Sequence, residues 1–194
     1  MRRRFTPGFA AKAVVRAGVA LALAAALSGC GIFDKKEPPA PCPKILIDRD
    51  TAKATRFVGN GTDLTDMLVE TEIQSYTGEC VVDKDAQVVK MSLNVVFQAT
   101  IGPAAKPLPD GTRKAGFSYF VALPDFFPHP AGKQVFQAEV SVPPNVNQVR
   151  YRDGEVTLTI PFSKTVGSGD LRVYIGMQLD PAQLEFNRKN QPQY

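Results

Sequence analysis

The chain has 194 residues, with 23 lysines and arginines, 19 aspartates and glutamates, one histidine, three cysteines and no tryptophan. Five of the basic residues and none of the acidic residues precede Cys30, so the chain from Cys30 onward carries 18 basic and 19 acidic residues. The positive charge therefore belongs to the N-terminal segment. The remainder lacks the basic surplus that is typical of nucleic-acid-binding proteins, and we expect no nucleic-acid partner.

The N-terminal segment has the pattern of a secretory signal peptide. A basic region containing Arg2, Arg3 and Arg4 precedes an apolar run from Ala17 to Leu27, in the order that signal peptides show. The run is shorter than the roughly 20 apolar residues that span a bilayer as a helix. We therefore predict that residues 1–29 are removed, with an uncleaved membrane anchor as the less favoured alternative.

The end of this segment, Leu27-Ser28-Gly29-Cys30, resembles the lipobox of bacterial prolipoproteins. The resemblance implies that the Cys30 thiol receives a diacylglycerol, that a peptidase cleaves before Cys30, and that the new amine is acylated, commonly with palmitate. Several acyl chains hold a protein firmly at a membrane, since each buried methylene contributes about 0.8 kcal/mol. The alternative is an ordinary secreted protein in which Cys30 is incidental. Residue 31 is Gly and not the Asp that commonly signals inner-membrane retention, so the resemblance favours the outer membrane, facing the periplasm.

Residues 30–42 follow as a predicted tether, since Pro38, Pro39 and Pro41 favour extended chain of about 3.1 Å per residue. Cys42 and Cys80 are the remaining cysteines. Two cysteines in an oxidising compartment usually pair, so we predict a Cys42–Cys80 disulfide, with two buried free thiols as the alternative.

Residues 43–189 are predicted to form one all-β domain. Apolar and polar residues alternate with a period of two, most clearly from Val89 to Ile101, which indicates strands with one buried face. Eight predicted strands share such signals: Lys44–Asp48, Met67–Ser75, Cys80–Asp83, Val89–Ile101, Phe117–Leu123, Phe136–Val142, Val156–Phe162 and Leu171–Met177. Seven to eight short strands without crossover helices favour an antiparallel β-sandwich of immunoglobulin or fibronectin type III style, with a barrel as the alternative.

Two connections have specific signals. Asp153-Gly154 before a strand is typical of a tight hairpin. Asp180 followed by Pro181 is typical of a helix start, and we predict a short helix over Asp180–Arg188 that closes one end of the sandwich through Leu184 and Phe186. Residues 190–194 are predicted to fray.

Candidate catalytic residues are few. His129 is the only histidine, and prolines on both sides place it in an extended exposed loop rather than in a Ser-His-Asp triad. The sequence has no zinc-binding cysteine and histidine set and no phosphate-binding glycine loop. The acidic residues Asp63, Asp66, Glu70 and Glu72 match no calcium loop and fit a solvated strand face better. We therefore expect no catalytic residue, no metal and no cofactor.

Phe126 and Phe127 are the candidate partner-binding residues, because they follow a strand in a proline-rich loop. Burial in the core is the competing interpretation, and it is the default for aromatic side chains.

The sequence also resembles a group of uncharacterised alphaproteobacterial lipoproteins with a single small β-domain. The residues that carry this resemblance are Thr55-Arg56-Phe57, Asp63-Leu64-Thr65-Asp66, Glu72-Ile73, Gly78-Glu79-Cys80, Ile175-Gly176-Met177-Gln178-Leu179 and Leu184-Glu185-Phe186-Asn187-Arg188. It implies a compact envelope domain and no known activity.

Three hypotheses follow for function. The first is a non-enzymatic envelope lipoprotein, held in the membrane by its lipid, that binds or helps to assemble another envelope protein or polymer. The second is a carrier or chaperone for an apolar, lipid-like ligand, which requires a sizeable apolar cavity. The third is a hydrolase with an unfamiliar site.

Overall fold

A computed structural model describes residues 39–59, 61–163 and 165–190. The predicted signal peptide, Cys30, the tether up to residue 38, and residues 191–194 lie outside this range. Nine strands and one α-helix form in the described residues, where seven to eight strands were expected: β1 Lys44–Ile47, β2 Lys53–Phe57, β3 Met67–Asp83, β4 Val88–Ile101, β5 Arg113–Ala122, β6 Lys133–Val142, β7 Gln148–Arg152, β8 Val156–Pro161, β9 Arg172–Met177 and α1 Pro181–Asn190.

The strands form two sheets. Sheet A has the order β1-β9-β5-β6, and sheet B has the order β2-β3-β4-β7, with β8 also paired to β4. Neighbouring strands are antiparallel except for β1 and β9, which pair in parallel with Lys44 opposite Arg172. The expected all-antiparallel sandwich is therefore mixed at this one edge.

The two sheets share a hydrophobic core between their inner faces. Along β4, the alternate residues from Val89 to Ile101 are all buried, as the period of two predicted. The ring of Phe97 on β4 lies 4.7 Å from that of Phe117 and 4.9 Å from that of Tyr119, both on β5 in the other sheet (centroid distances). These contacts join sheet A to sheet B, which makes the architecture sandwich-like.

The predicted hairpin at Asp153-Gly154 is wrong. β7 and β8 run one after the other along the same side of β4, with Arg152 opposite Val96 and Val156 opposite Leu93. The step from Arg152 to Val156 is one residue longer than the facing step on β4, so Asp153-Gly154-Glu155 forms a bulge in a continuing edge. The side chain of Asp153 holds this bulge by accepting from the backbone N–H of Gly154 at 2.9 Å.

Other strand boundaries also differ from the sequence prediction. The two separate predicted strands at Met67–Ser75 and Cys80–Asp83 are one long strand, β3, which stays paired to β4 through a register shift between Ile73 and Ser75. Strands β2 and β7 were not predicted. Both are five residues long; β2 shows no clear alternation, whereas Gln-Val-Arg-Tyr-Arg of β7 does alternate and the sequence prediction missed it.

The predicted disulfide between Cys42 and Cys80 is present, with the two Cα atoms 6.0 Å apart. It joins the chain just before β1 to the last part of β3, near the end of the β3–β4 ladder in the opposite sheet. The Tyr76 hydroxyl donates to the carbonyl of Ile45 at 2.8 Å beside it. The start of the domain is therefore attached to both sheets.

Helix α1 forms where it was predicted, and a polar attachment adds to its predicted apolar contact. Asp180 caps it by accepting from the N–H of Gln183 at 2.8 Å, as expected of an N-cap. Of the two predicted contacts, Phe186 packs edge-to-face on Phe57 of β2 with ring centroids 5.1 Å apart, and both Phe186 and Leu184 are half-buried. The buried residue is Asn187, whose amide donates to the carbonyls of Asp50 at 2.9 Å and Lys53 at 2.7 Å. The helix is therefore held to β2 and to the turn at Asp50 by polar contacts as well as by the Phe57–Phe186 contact.

Candidate functional site

A groove of about 480 Å³ opens where strand β9 ends, and we call it the Gln groove. Its volume lies in the range of small-ligand sites, about 300–1,000 Å³. Three glutamine side chains from different elements border it. Its lining consists of Ala54, Arg56, Val69, Thr71, Gly116, Phe117, Ser118, Gln137, Ala138, Glu139, Gln178 and Gln183.

The groove exists because sheet A loses a strand at this point. The last residue of β9, Met177, lies opposite Tyr119, and the N–H of Gln178 then donates to the carbonyl of Ser118 at 2.8 Å. Beyond this point β5 continues to Arg113 with β6 on one side and the groove on the other. The backbone of β5 at Gly116 therefore lines the groove, where a glycine leaves it uncovered.

Five of the seven polar side chains of the groove are neutral, and three of these are glutamine amides. Gln183 is held in place, since its amide donates to the carbonyl of Thr55 at 3.1 Å and its oxygen accepts from the N–H of Asp180 at 3.1 Å. Gln137 and Gln178 are exposed. The charged lining residues are Arg56 and Glu139, and Glu139 forms an ion pair with Lys114. Neutral donors and acceptors along an open backbone edge suit hydrogen bonding to a polar polymer, such as an extended peptide or a glycan.

A second polar cluster lies inside the sandwich and has a structural role. Asp153 accepts hydrogen bonds from the hydroxyls of Tyr119 at 2.6 Å and Tyr151 at 2.9 Å. Burial, and then the bond to Asp153, raise the pKa of Tyr119 far above its usual value. The bond to Asp153 is the main cause that raises the pKa of Tyr151. Both tyrosines therefore remain protonated donors at neutral pH and fix the bulge between β7 and β8.

The loop that carries the predicted aromatic anchor is folded, not extended. It contains two 3₁₀ turns, Pro124–Phe126 and Pro130–Gly132, and the N–H of His129 donates to the carbonyl of Phe126 at 2.8 Å. His129 is exposed, as predicted, but the extended conformation expected from its flanking prolines is wrong.

The structure separates the two phenylalanines. Phe126 is half-buried and packs against the main core, whereas Phe127 is 76% exposed. Phe126 and His129 border a small apolar pocket of about 220 Å³ with Leu123, Leu158 and Ile160. Phe127 alone fits the description of an exposed anchor, and its role as a partner contact stays a prediction.

The acidic residues of 63–72 act separately. Asp63 caps a short turn by accepting from the N–H of Thr65 at 2.8 Å, and this bond and the Thr65 hydroxyl lower the pKa of Asp63. Glu70 pairs with Lys53 at 3.2 Å, and Glu72 accepts from Gln74 at 2.9 Å. Within the described ranges, no group of three or more histidine, cysteine, aspartate or glutamate residues is placed to hold a metal ion.

The sequence prediction did not include the Gln groove. Its residues come from six elements or loops that are distant in the chain, and one of these, β2, was not predicted. No local signal marks the groove, because the apolar alternation of Leu171, Val173, Ile175 and Met177 continues in the sequence to Leu179, beyond the end of β9.

Comparison of the chain with protein-family models, with curated proteins and with solved structures found no match. Among the residues that the structure describes, no helix has the length and apolar character needed to cross a membrane.

Proposed function

We propose that the chain is a non-catalytic lipoprotein of the bacterial envelope, anchored through Cys30 and facing the periplasm, whose β-domain binds another envelope protein or polymer. The outer membrane is favoured because residue 31 is Gly. The lipobox-like Leu27-Ser28-Gly29-Cys30 supports the anchor, and the Cys42–Cys80 disulfide fits an oxidising compartment. A sandwich of the immunoglobulin or fibronectin type III kind is part of the proposal, supported by two sheets packed around a main core and a second, smaller apolar cluster.

The observation that carries the binding role is the Gln groove. It presents amide side chains and the open backbone edge of β5 near Gly116, without a nucleophile and base in contact in its lining. Catalysis by acid–base or nucleophilic chemistry requires such groups within hydrogen-bond reach of each other. Binding an extended polar partner requires only hydrogen-bond donors and acceptors along an open surface, and the groove presents these.

The anchor is tested by labelling with radioactive palmitate in a bacterial host. We expect the full chain to incorporate label and Cys30→Ala to lose it. The matched control is the double variant Cys42→Ala/Cys80→Ala, which keeps Cys30 and should label like the wild type. Equal labelling of the wild type and Cys30→Ala would remove the lipoprotein assignment.

The groove is tested by placing a photo-crosslinking amino acid at Gln178 in the full chain. Gln74, an exposed glutamine on β3 away from the groove, is the matched control position. We expect a discrete adduct with one envelope protein or polymer from position 178, reduced by the second groove substitution Gln137→Ala. Identical adducts from both positions, or none from position 178, would contradict binding at the groove.

The alternative function is a carrier for an apolar ligand, and the pocket beside Phe126 favours it because Leu123, Leu158 and Ile160 border it. Its volume of about 220 Å³ is below the usual range for ligand sites, about 300–1,000 Å³. Mass spectrometry of lipid that copurifies with the wild type and with Leu158→Phe tests this function. The carrier function predicts that lipid copurifies with the wild type and not with Leu158→Phe, in which the larger side chain fills the pocket.

A further inference from the structure

We propose that strand β6 pairs edge to edge, antiparallel, with β6 of a second copy of this chain. A sheet edge carries unpaired backbone N–H and C=O groups, and proteins usually block such edges against other strands. Of the four strands that end the two sheets in the described residues, three are protected by a covering helix, a bulge, a proline or short length, whereas β6 carries only the charged side chains of Lys133 and Glu139. The unpaired stretches of β3 after Ile73 and of β5 before Ser118 are each interrupted by a glycine, Gly78 or Gly116.

The edge at β2 is covered by helix α1. The amides of Gln183 and Asn187, one helical turn apart, donate to the carbonyls of Thr55 and Lys53, which are two residues apart on β2. These are the carbonyls that point away from β3, because residues two apart on a strand point their backbone groups to the same side. A second strand cannot reach them without displacing the helix.

The edges at β1 and at β7–β8 are blocked in other ways. β1 is four residues long and follows Pro43. The β7–β8 edge is broken by the bulge after Arg152, and β8 ends in Pro161, which has no N–H to donate. Bulges, prolines and short length are the usual protections of an edge strand.

Strand β6 has none of these features. It is ten residues long, from Lys133 to Val142, without glycine or proline, and pairs with β5 in an unbroken register. The N–H of Leu123 donates to the carbonyl of Gly132 at 2.7 Å, so the backbone groups of Gly132 and of every second residue after it point toward β5. The backbone groups that point away from β5 are therefore those of Lys133, Val135, Gln137, Glu139 and Ser141.

The charges of this edge match a second copy in one register, in which Glu139, already ion-paired with Lys114 of its own chain, gains a second lysine. With Lys133 opposite Glu139 of the partner subunit, both copies form a lysine–glutamate pair, and Val135 lies opposite the partner subunit's Gln137. Shifting the register by two residues in either direction puts Lys133 opposite Gln137 or Ser141 and loses both charge pairs. Opposite charges directly across two strands stabilise their pairing.

The outer face next to this edge also favours an added strand. Val135 is 51% exposed, and Lys133 lies over the ring of Phe120 at 4.4 Å, so an apolar surface extends to the edge. Pairing would cover Val135 and join two four-stranded sheets into one continuous sheet.

Disulfide crosslinking of full-length chains in bacterial envelopes tests the pairing. One tagged copy carries Val135→Cys and a differently tagged copy carries Gln137→Cys. These positions are opposite in the proposed register, and hydrogen-bonded pairs have Cα atoms about 5.5 Å apart, within disulfide range. We expect a mixed dimer on non-reducing gels, several-fold above either variant expressed alone and above Val81→Cys, an exposed control position on β3.

A charge exchange tests the register independently of folding. Lys133→Glu alone or Glu139→Lys alone, introduced into both cysteine-bearing copies, should lower the mixed dimer several-fold. The combined exchange Lys133→Glu/Glu139→Lys should restore it. Mixed dimer no higher than the Val81→Cys control, no restoration by the exchange, or a product whose second component is a different protein would overturn the pairing of two copies.

Discussion

Removing the amide of Asn187 should loosen helix α1 from the sandwich. Asn187 is 3% exposed, and its amide nitrogen is the donor to the carbonyls of Asp50 and Lys53. Asn187→Ala removes both bonds and leaves two carbonyls without this partner. Asn187→Asp keeps the size of the side chain but replaces the donor with a carboxylate oxygen that faces the same two acceptors.

The size of the effect follows from these contacts. A half-buried acceptor that loses its donor costs about 1–3 kcal/mol, and we take about 1 kcal/mol for each because water can enter at the helix edge. The side-chain oxygen of Asn187 has no partner in the structure, so its removal costs nothing further. Asn187→Ala should therefore lower the free energy of unfolding by about 2 kcal/mol, or Tm by about 4–8 °C for a domain of this size. Asn187→Asp should lower it further, since a buried unpaired charge adds to the loss.

Urea and thermal unfolding followed by circular dichroism measure these differences in the full chain. The matched control is Arg188→Ala on the same helix, which removes an exposed ion pair with Asp50 and should cost less than about 1 kcal/mol. The gap between the Asp and Ala variants should narrow at acidic pH, where the new carboxyl is protonated. An Asn187→Ala variant as stable as Arg188→Ala, or an Asp variant no worse than Ala at neutral pH, would refute the role given to this amide.

Three further predictions concern other parts of the domain. The pKa of Tyr119 is raised in the folded state above its unfolded value of about 10, so the stability that its protonated hydroxyl contributes is complete below about pH 10 and is lost above it. The wild type should therefore lose stability above about pH 10 more steeply than Tyr119→Phe, and parallel pH profiles of the two would contradict this. Cys42→Ser should lower the free energy of unfolding by about 4 kcal/mol, because it removes a cross-link that closes a loop with a sequence separation of 38. Wild type kept under reducing conditions is the control and should lose the same stability; a loss under about 1 kcal/mol would argue against the cross-link as a constraint. Phe127→Ser should leave Tm unchanged while Phe126→Ala lowers it, because Phe126 alone packs against the core; equal effects on Tm would contradict the division between them.

The strands that led to the β fold class were predictable from the sequence when they bury one face along their whole length. In β4 each second residue from Val89 to Ile101 is buried, and the alternation is visible in the sequence because burial selects apolar side chains. Where the chain keeps its direction through a bulge, the sequence was misleading. Asp153-Gly154 has the composition of a hairpin turn, but the carboxylate of Asp153 is held by Tyr119 from the other sheet, which no local pattern contains.

The candidate sites divide in the same way. The Cys42–Cys80 disulfide was predictable because, with Cys30 assigned to the lipid, two cysteines had one possible pairing. Phe126 and Phe127 were recognised as a pair, but their different burial depends on which ring the folded loop turns toward the core. The Gln groove was not predictable, since Gln178 and Gln137 are neighbours only because β9 stops short of the end of β5.

The sequence by itself determined what depends on neighbouring residues: the alternating strands and the capped start of α1 at Asp180. Tertiary structure decided what depends on residues far apart in the chain: the parallel pairing of β1 with β9, the polar attachment of α1 through Asn187, and the contrast between blocked edges and the open edge of β6. The physical reason is that one-sided burial of a strand selects an alternation of apolar and polar residues that neighbouring positions show. The strand or helix that lies along a backbone edge depends instead on how distant segments come together.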